Sequence, residues 1–371
     1  MALTEPESCI LFIVFYSFST NSPPPSCALA ATAFGWATGT TGGAGGVEAI
    51  PSSPQQLKQW LEDSTPLVII LDKTYDFTDT EGSATGPGCK PWSCSPNVQF
   101  ALNGPDWCAS TPTKATFTYK VAPTVPIQLG SNKTLRGKEV QAGCLRILGA
   151  TNIIIQNVRF SDMNQQYVWG GDALTLHGGS KIWIDHNYFK DVGRQFIVSE
   201  GFNPTTQVTI SNNYFDGRAP FCDGDTMTFA YNYVYHASGR APKVGGTDGL
   251  AQTVHMYNNY FHDISGHALD AAVGSRVLFE GNYIESVKTP TLGDPKGALF
   301  APTSASMNAQ CASAIGRNCV SNTLVSSGSL INAAKSGVLG DFKKSFVTSN
   351  KVMDASAVKS YVLANAGLGK I

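Results

Sequence analysis

Charged residues are only 14% of this 371-residue chain, so the places where they cluster can be singled out. Three short runs do so: Trp169-Gly170-Gly171-Asp172-Ala173, Gly193-Arg194-Gln195 and Ser238-Gly239-Arg240-Ala241-Pro242-Lys243. Two arginines and a lysine gathered beside one aspartate suit an anionic centre or an ester carbonyl. Removing a proton α to a carbonyl builds enolate-like charge, and cationic donors aimed at that oxygen stabilise it. Arginine as the base is the costly part, because its pKa lies about 5 units above neutral and deprotonation costs about 7 kcal/mol. Neighbouring cations and desolvation both lower that cost. Each residue also has a plainer reading: Arg194 and Arg240 as partners of surface carboxylates, Asp172 as a turn cap.

Such a cluster needs a frame that brings distant segments to one face. From residue 150 a repeat supplies one: IIIQNVRF (153–160), WIDHNYF (183–189), VTISNNYF (208–215), FAYNYVY (229–235), VHMYNNYF (254–261) and VLFEGNYI (277–284). Each is a β-branched or aromatic run, then an asparagine, then an aromatic or aliphatic pair. The asparagines are Asn157, Asn187, Asn213, Asn232, Asn259 and Asn282, spaced by 30, 26, 19, 27 and 23 residues. Stacked coils place equivalent turn positions one strand spacing apart, about 4.8 Å, so the amides can form a ladder. The repeat predicts an all-β chain: a single-stranded, right-handed parallel β-helix with long loops and a C-terminal tail wrapped around it. A β-sandwich or propeller is the competing arrangement, but four-strand blades want a longer, steadier period. All three polar runs begin or follow strands of nearby coils.

Around this frame, Gln55 to Asp63 reads as helical and Leu67 to Leu71 as the first buried strand. Residues 78–126 read as a long excursion, and the last seventy as a tail bridged by cysteines. Cys9 to Phe18 is an apolar stretch too short to span a bilayer, followed by the small-x-small sequence Ala28-Leu29-Ala30. This predicts a secretion signal over 1–30 and a mature domain over 31–371, secreted and not held in a membrane. Glu5 and Glu7, with no basic residue, are unusual for such a signal. Nine cysteines fit neither a zinc site nor a redox pair. Disulfides are the better reading; Cys311 and Cys319 are close enough to close a small loop, and an odd cysteine remains in the mature part. A net charge of −1 argues against nucleic acid. The histidines show no metal-ligand spacing and read as structural, and Asp223-Gly224-Asp225 is only a weak calcium candidate. Asn132-Lys133-Thr134 is an N-glycosylation acceptor motif.

YVWGGDALTL, WIDHNYF, GRQFIV, SGRAPKV, NNYFHDISGHALD and EGNYIESVKTP, in that order, resemble the motifs of fungal pectin lyases, within the pectate lyase superfamily. The similarity runs from TAFGWATGTTGG (32–43) to the C-terminus. It implies a monomeric, secreted, endo-acting lyase that cleaves methyl-esterified galacturonan by β-elimination, without a cofactor. By motif, Arg240 resembles the base that takes the C5 proton. Arg194 and Lys243 resemble the residues that hold the ester carbonyl, and Asp172 the acidic member of the site. Trp92, Trp107, Trp169 and Trp183 resemble the aromatic, ester-tolerant cleft. The resemblance also implies disulfides Cys89–Cys108, Cys94–Cys222 and Cys311–Cys319, with Cys144 outside them.

No metal is expected. Pectate lyases gather carboxylates around calcium, whereas Asp172 has no evident carboxylate partner and Arg194 resembles the cation that stands in calcium's place. Two departures set alternatives beside this reading. The stretch RAPFCDGDTMTFAY (218–231) is shorter than the family usually carries, and TLRGKEVQAGCLRI (134–147) is short by a few residues. An impaired pectin-binding protein is therefore one alternative; a calcium-dependent pectate lyase and a β-helix hydrolase of the polygalacturonase type are the others.

Overall fold

The computed structural model describes residues 32–91, 99–199, 204–216, 226–237, 239, 241–245, 251–294 and 296–370. Residues 1–31, with the expected secretion signal, lie outside them. So do Trp92, Cys94, Cys222, Arg240 and the Asp223–Asp225 pair.

The chain winds into a parallel β-helix whose coils each offer up to three strands. First-side strands include Thr151–Gln156, Ser180–Asp185, Thr206–Ser211, Thr226–Ala230, Gln252–Tyr257 and Ser275–Glu280, paired in parallel from coil to coil. A turn leads to short second-side strands such as Tyr188–Phe189, Tyr214–Asp216 and Tyr233–Tyr235. Third-side strands Ile127–Leu129, Leu145–Leu148, Leu174–His177 and Ile197–Ser199 form a separate parallel sheet. Inward side chains meet in one continuous core, where Ile153, Ile155, Ile182, Ile184, Phe160 and Phe189 are fully buried. No coil buries these groups alone; each depends on its neighbours above and below.

The asparagine ladder is present, displaced by one coil from the sequence expectation. Asn187 Nδ2 donates to Asn213 Oδ1 at 2.9 Å, and the chain of amides continues through Asn232, Asn259 and Asn282 to Asn322. Asn157 is not a rung. Gln156 pairs with Asp185, so Asn157 lies opposite His186 and Val158 opposite Asn187. Val158 N accordingly donates to Asn187 Oδ1. Each rung from Asn187 to Asn282 follows a left-handed residue: His186, Asn212, Tyr231, Asn258 and Gly281 all have φ between 52° and 62°. Asn157, with φ 57°, belongs to that second column.

The two short stretches do not break the frame. Val208 pairs with Met227 and Tyr214 with Tyr233, so both shared strands step by the same 19 residues. Residues 217–225 lie outside the described residues, and the register on either side of them is kept. The 133–148 coil is also complete, since Lys133–Gln141 pairs with strands before and after it and Leu145–Leu148 pairs on both sides.

Segments from both ends run lengthwise across the coils. Near the N-terminus, Ala37 N donates to Thr209 Oγ1 and Gly43 N to Thr134 Oγ1. Near the C-terminus, Met353 exchanges two backbone bonds with the Asn258 amide, both 2.8 Å. Gly367 N then reaches Asn212 O, and Gly369 N reaches Asn157 Oδ1. The tail thus follows the left-handed column. Before it, the helix Ala305–Ile315 is tied back by the Cys311–Cys319 disulfide. The solenoid pattern continues further into this region than the sequence suggested, with strands Ala298–Phe300 and Thr323–Val325. Arg317 from the tail bonds the fully buried Glu280 through both terminal nitrogens, at 2.9 and 2.6 Å.

Within the excursion over residues 78–126, which showed no clear period, the described residues hold a small sheet. Ser83–Cys89 pairs antiparallel with Lys114–Lys120 and with Phe100–Leu102, which in turn pairs with Tyr167–Val168. The alternation in Lys114–Lys120 (KATFTYK) was the available signal. The Cys89–Cys108 disulfide pins this excursion, as the resemblance implied. Cys144 is buried and belongs to neither described bridge.

Candidate active site

Asp172 stands two residues before the strand Leu174–His177, and Arg194 three before Ile197–Ser199. These strands pair Leu174 with Ile197, an offset of 23, which sets Asp172 beside Gln195. Backbone bonds extend the match outward: Ala173 N to Gln195 O at 2.9 Å and Arg194 N to Gly171 O at 3.1 Å. The glycines in both motifs answer to close approach. Gly193 would bring a Cβ to within 3 Å of the carbonyl oxygens of Met163, Asn164 and Tyr167. At Gly171, with φ 139°, an added Cβ would lie 2.3 Å from Pro123 O.

The side chains meet in this corner. Asp172 Oδ1 accepts from Arg194 Nε at 3.1 Å and from Gln195 N at 3.0 Å. Gln195 Oε1 accepts from Arg194 Nε at 3.1 Å and Nη2 at 2.5 Å. The Arg194 guanidinium lies over the Trp169 ring, its carbon 4.1 Å from the ring centre. The arginine and aspartate side chains remain 19% and 16% exposed, so the pair opens to solvent.

Trp169 itself sits at φ 64° on a turn held by Asn164. The buried Asn164 amide donates to Lys120 O at 2.7 Å and Gly170 O at 2.8 Å. Gln99 Nε2 adds bonds to Gln165 O and Gly193 O. Sequence reasoning placed Gln195 in a polar run without giving it a role, and named neither Asn164 nor Gln99. Gln195 alone had a signal, its adjacency to Arg194; the other two act through backbone carbonyls far away in sequence.

Lys243 begins the two-residue strand Lys243–Val244, which pairs with Asp270–Ala271. It occupies the third side of the coil built from Thr226–Ala230 and Tyr233–Tyr235, two coils beyond Arg194. Two coil spacings are about 10 Å. Among the described residues the structure brings Asp172 and Arg194 into contact, and it places Lys243 on a strand that pairs with Asp270–Ala271 rather than with the Leu174–His177 and Ile197–Ser199 sheet. Arg240, expected as the base, lies outside the described residues.

The tryptophans divide. Trp107 ends the short turn Gly104–Asp106 and is 37% exposed. Gly104 of that turn rests against the Trp169 side chain, where an added Cβ would lie 3.3 Å from it. Trp183 is not a cleft residue. It is 2% exposed, bonds Ser211 Oγ through Nε1 at 3.0 Å, and packs against Ala33, Ala37 and Ile154 beneath the N-terminal segment. Its strand belongs to the first side, away from Arg194. Asn132 is half-buried and accepts from Asn152, while Thr134 of the same acceptor motif is buried and bonded to Gly43.

Four of the six described histidines have structural partners: His186 with Asp185, His236 with Asp263, His255 with Glu280 and His262 with Tyr233. Among the described residues no three His, Cys, Asp or Glu side chains gather as metal ligands.

The chain resembles known proteins along most of its length. It is 43% identical over 367 residues to "Probable pectin lyase F" of Aspergillus niger, a match covering 91% of this chain and 75% of that protein. It is 39% identical to "Pectin lyase B" of Emericella nidulans, covering 92% and 94%. Among solved structures, a pectate lyase variant from Xanthomonas campestris superposes with a TM-score of 0.57 at 19% identity, covering 91% and 98%. The cedar pollen allergen Jun a 1 does so at 0.60 and 16%, covering 91% and 92%. These distant structures share the fold. The pectate lyase family profile matches residues 108–371, and with that span, the shared β-helix and relatives near 40% identity, the chain is a member of the pectate lyase family.

Proposed function

We propose that this chain is a pectin lyase, cutting α-1,4-linked, methyl-esterified galacturonan within the polymer by β-elimination. The observation that carries this reading is the Arg194–Asp172 pair: a guanidinium, held by a carboxylate, stands at the open third side of the solenoid. Curated relatives named as pectin lyases, matched over nine-tenths of the chain, support the same substrate.

In this reading Arg194 and Lys243 draw electron density from the ester carbonyl, and the C5 proton passes to Arg240. The C5–H electron pair forms the C4–C5 double bond, the C4–O bond breaks, and the leaving oxygen gains a proton. A neutral ester suits a protein cation as its partner, because it brings no charge that a bridging metal must neutralise. Asp172 offsets the arginine charge and fixes its direction. Trp107 supplies aromatic surface near the site, and Trp92 is proposed to do so as well.

The described disulfides suit an oxidising compartment, which supports reading the protein as secreted. No helix among the described residues is long and apolar enough to cross a membrane. The test is the full chain on highly esterified pectin, with and without chelator, followed by ultraviolet absorbance of the unsaturated product. Activity retained in chelator is expected. Activity confined to de-esterified polymer with added calcium would overturn the reading.

A further inference from the structure

Arg194 is held on three sides, and only one of the holders is charged. Asp172 takes Nε; Gln195, itself 6% exposed, takes Nε and Nη2 on one amide oxygen; the Trp169 ring lies against the guanidinium plane. The Gln195 backbone also donates to Asp172, so a single residue bonds both members of the ion pair. Trp169 is engaged by Arg194 and by the Gly104 turn, and its Nε1 is buried with no hydrogen-bond partner.

We propose that Gln195 and Trp169 are positioning residues that aim Arg194. The inference rests on the lyase reading above. A guanidinium can rotate about its last side-chain bonds, and a single carboxylate contact at Nε leaves that freedom. The Gln195 oxygen, bridging Nε and Nη2, sets the plane within the corner. The indole face then removes the out-of-plane swing. Holding a charge stabiliser in place matters in the transition state more than in substrate binding.

The experiment is steady-state kinetics of the full chain on esterified pectin, comparing wild type with Gln195→Leu, Gln195→Glu, Trp169→Leu and Trp169→Phe. Misplacing a catalytic group by an ångström costs about 100-fold. Gln195→Leu and Trp169→Leu are therefore expected to lose about 100-fold in kcat, with KM within about 3-fold of wild type. Glu at 195 keeps the acceptor and Phe at 169 keeps a ring, so each is expected to recover much of its partner's loss. The proposal is overturned if both leucine variants keep wild-type kcat. It is equally overturned if Trp169→Leu raises KM alone, which would make the indole a substrate contact. A wild type that yields no unsaturated product would instead sink the lyase reading, while active wild type with unaffected variants sinks only this one.

Discussion

Arg194 and Asp172 lie 22 residues apart in the chain, yet their side chains meet at 3.1 Å because successive coils of the solenoid set them side by side. Removing the arginine takes away the donor proposed for the ester oxygen. Arg194→Ala is expected to lower kcat on esterified pectin by about 100- to 1,000-fold. Wild-type kcat in the folded variant would refute that role.

The ladder makes a prediction about stability alone. Asn232 is fully buried and accepts from both the backbone and side chain of Asn213 while donating to Ile210 O and Asn259. Asn232→Leu strands these groups and should cost about 3 kcal/mol in denaturant unfolding. Asn157→Ala loses one bond to Gly369 and should cost about 1 kcal/mol. Equal effects would contradict the register described above.

Burial by itself would raise the Glu280 carboxyl; the bonds from Arg317 and His255 outweigh it and bring it down to about 2, from an ordinary 4.5. A lowered acid contributes stability above the unfolded value and loses it as pH falls from 4.5 toward 2. The swing is about 3 kcal/mol. Arg317→Met leaves the carboxylate buried without its cation, costing about 3–5 kcal/mol near neutrality. In that variant the sign reverses, so mild acid should stabilise it; unfolding midpoints measured between pH 7 and pH 4 decide.

Trp183→Ala opens a cavity beneath the N-terminal segment and is expected to cost about 3–5 kcal/mol. KM for pectin should stay at the wild-type value in the protein that remains folded. A raised KM with unchanged stability would return Trp183 to the cleft.

Much of the frame was legible because a stacked solenoid writes its period into the sequence. The strand–Asn–aromatic repeat gave the fold, and the glycine-flanked Asp172 and Arg194 stood out against a chain poor in charge. What failed did so for local reasons. Asn157 has the ladder's residue type, but its place is fixed by pairing one position away, which only the register reveals. Trp183 shares a residue type with cleft tryptophans, yet its side of the coil and the covering segment decide its exposure. Asn322 was missed because the long insertion containing the disulfide-bridged helix separates it from Asn282 by 40 residues.

The equal 19-residue step on two sides of the 206–235 coils has a consequence for how this architecture changes. Because strands and amide rungs reconnect in phase, segments facing the polymer can be lengthened or trimmed without transmitting the change to the spine. Reach toward substrate and mechanical integrity become separately adjustable, which lets one scaffold carry many grips.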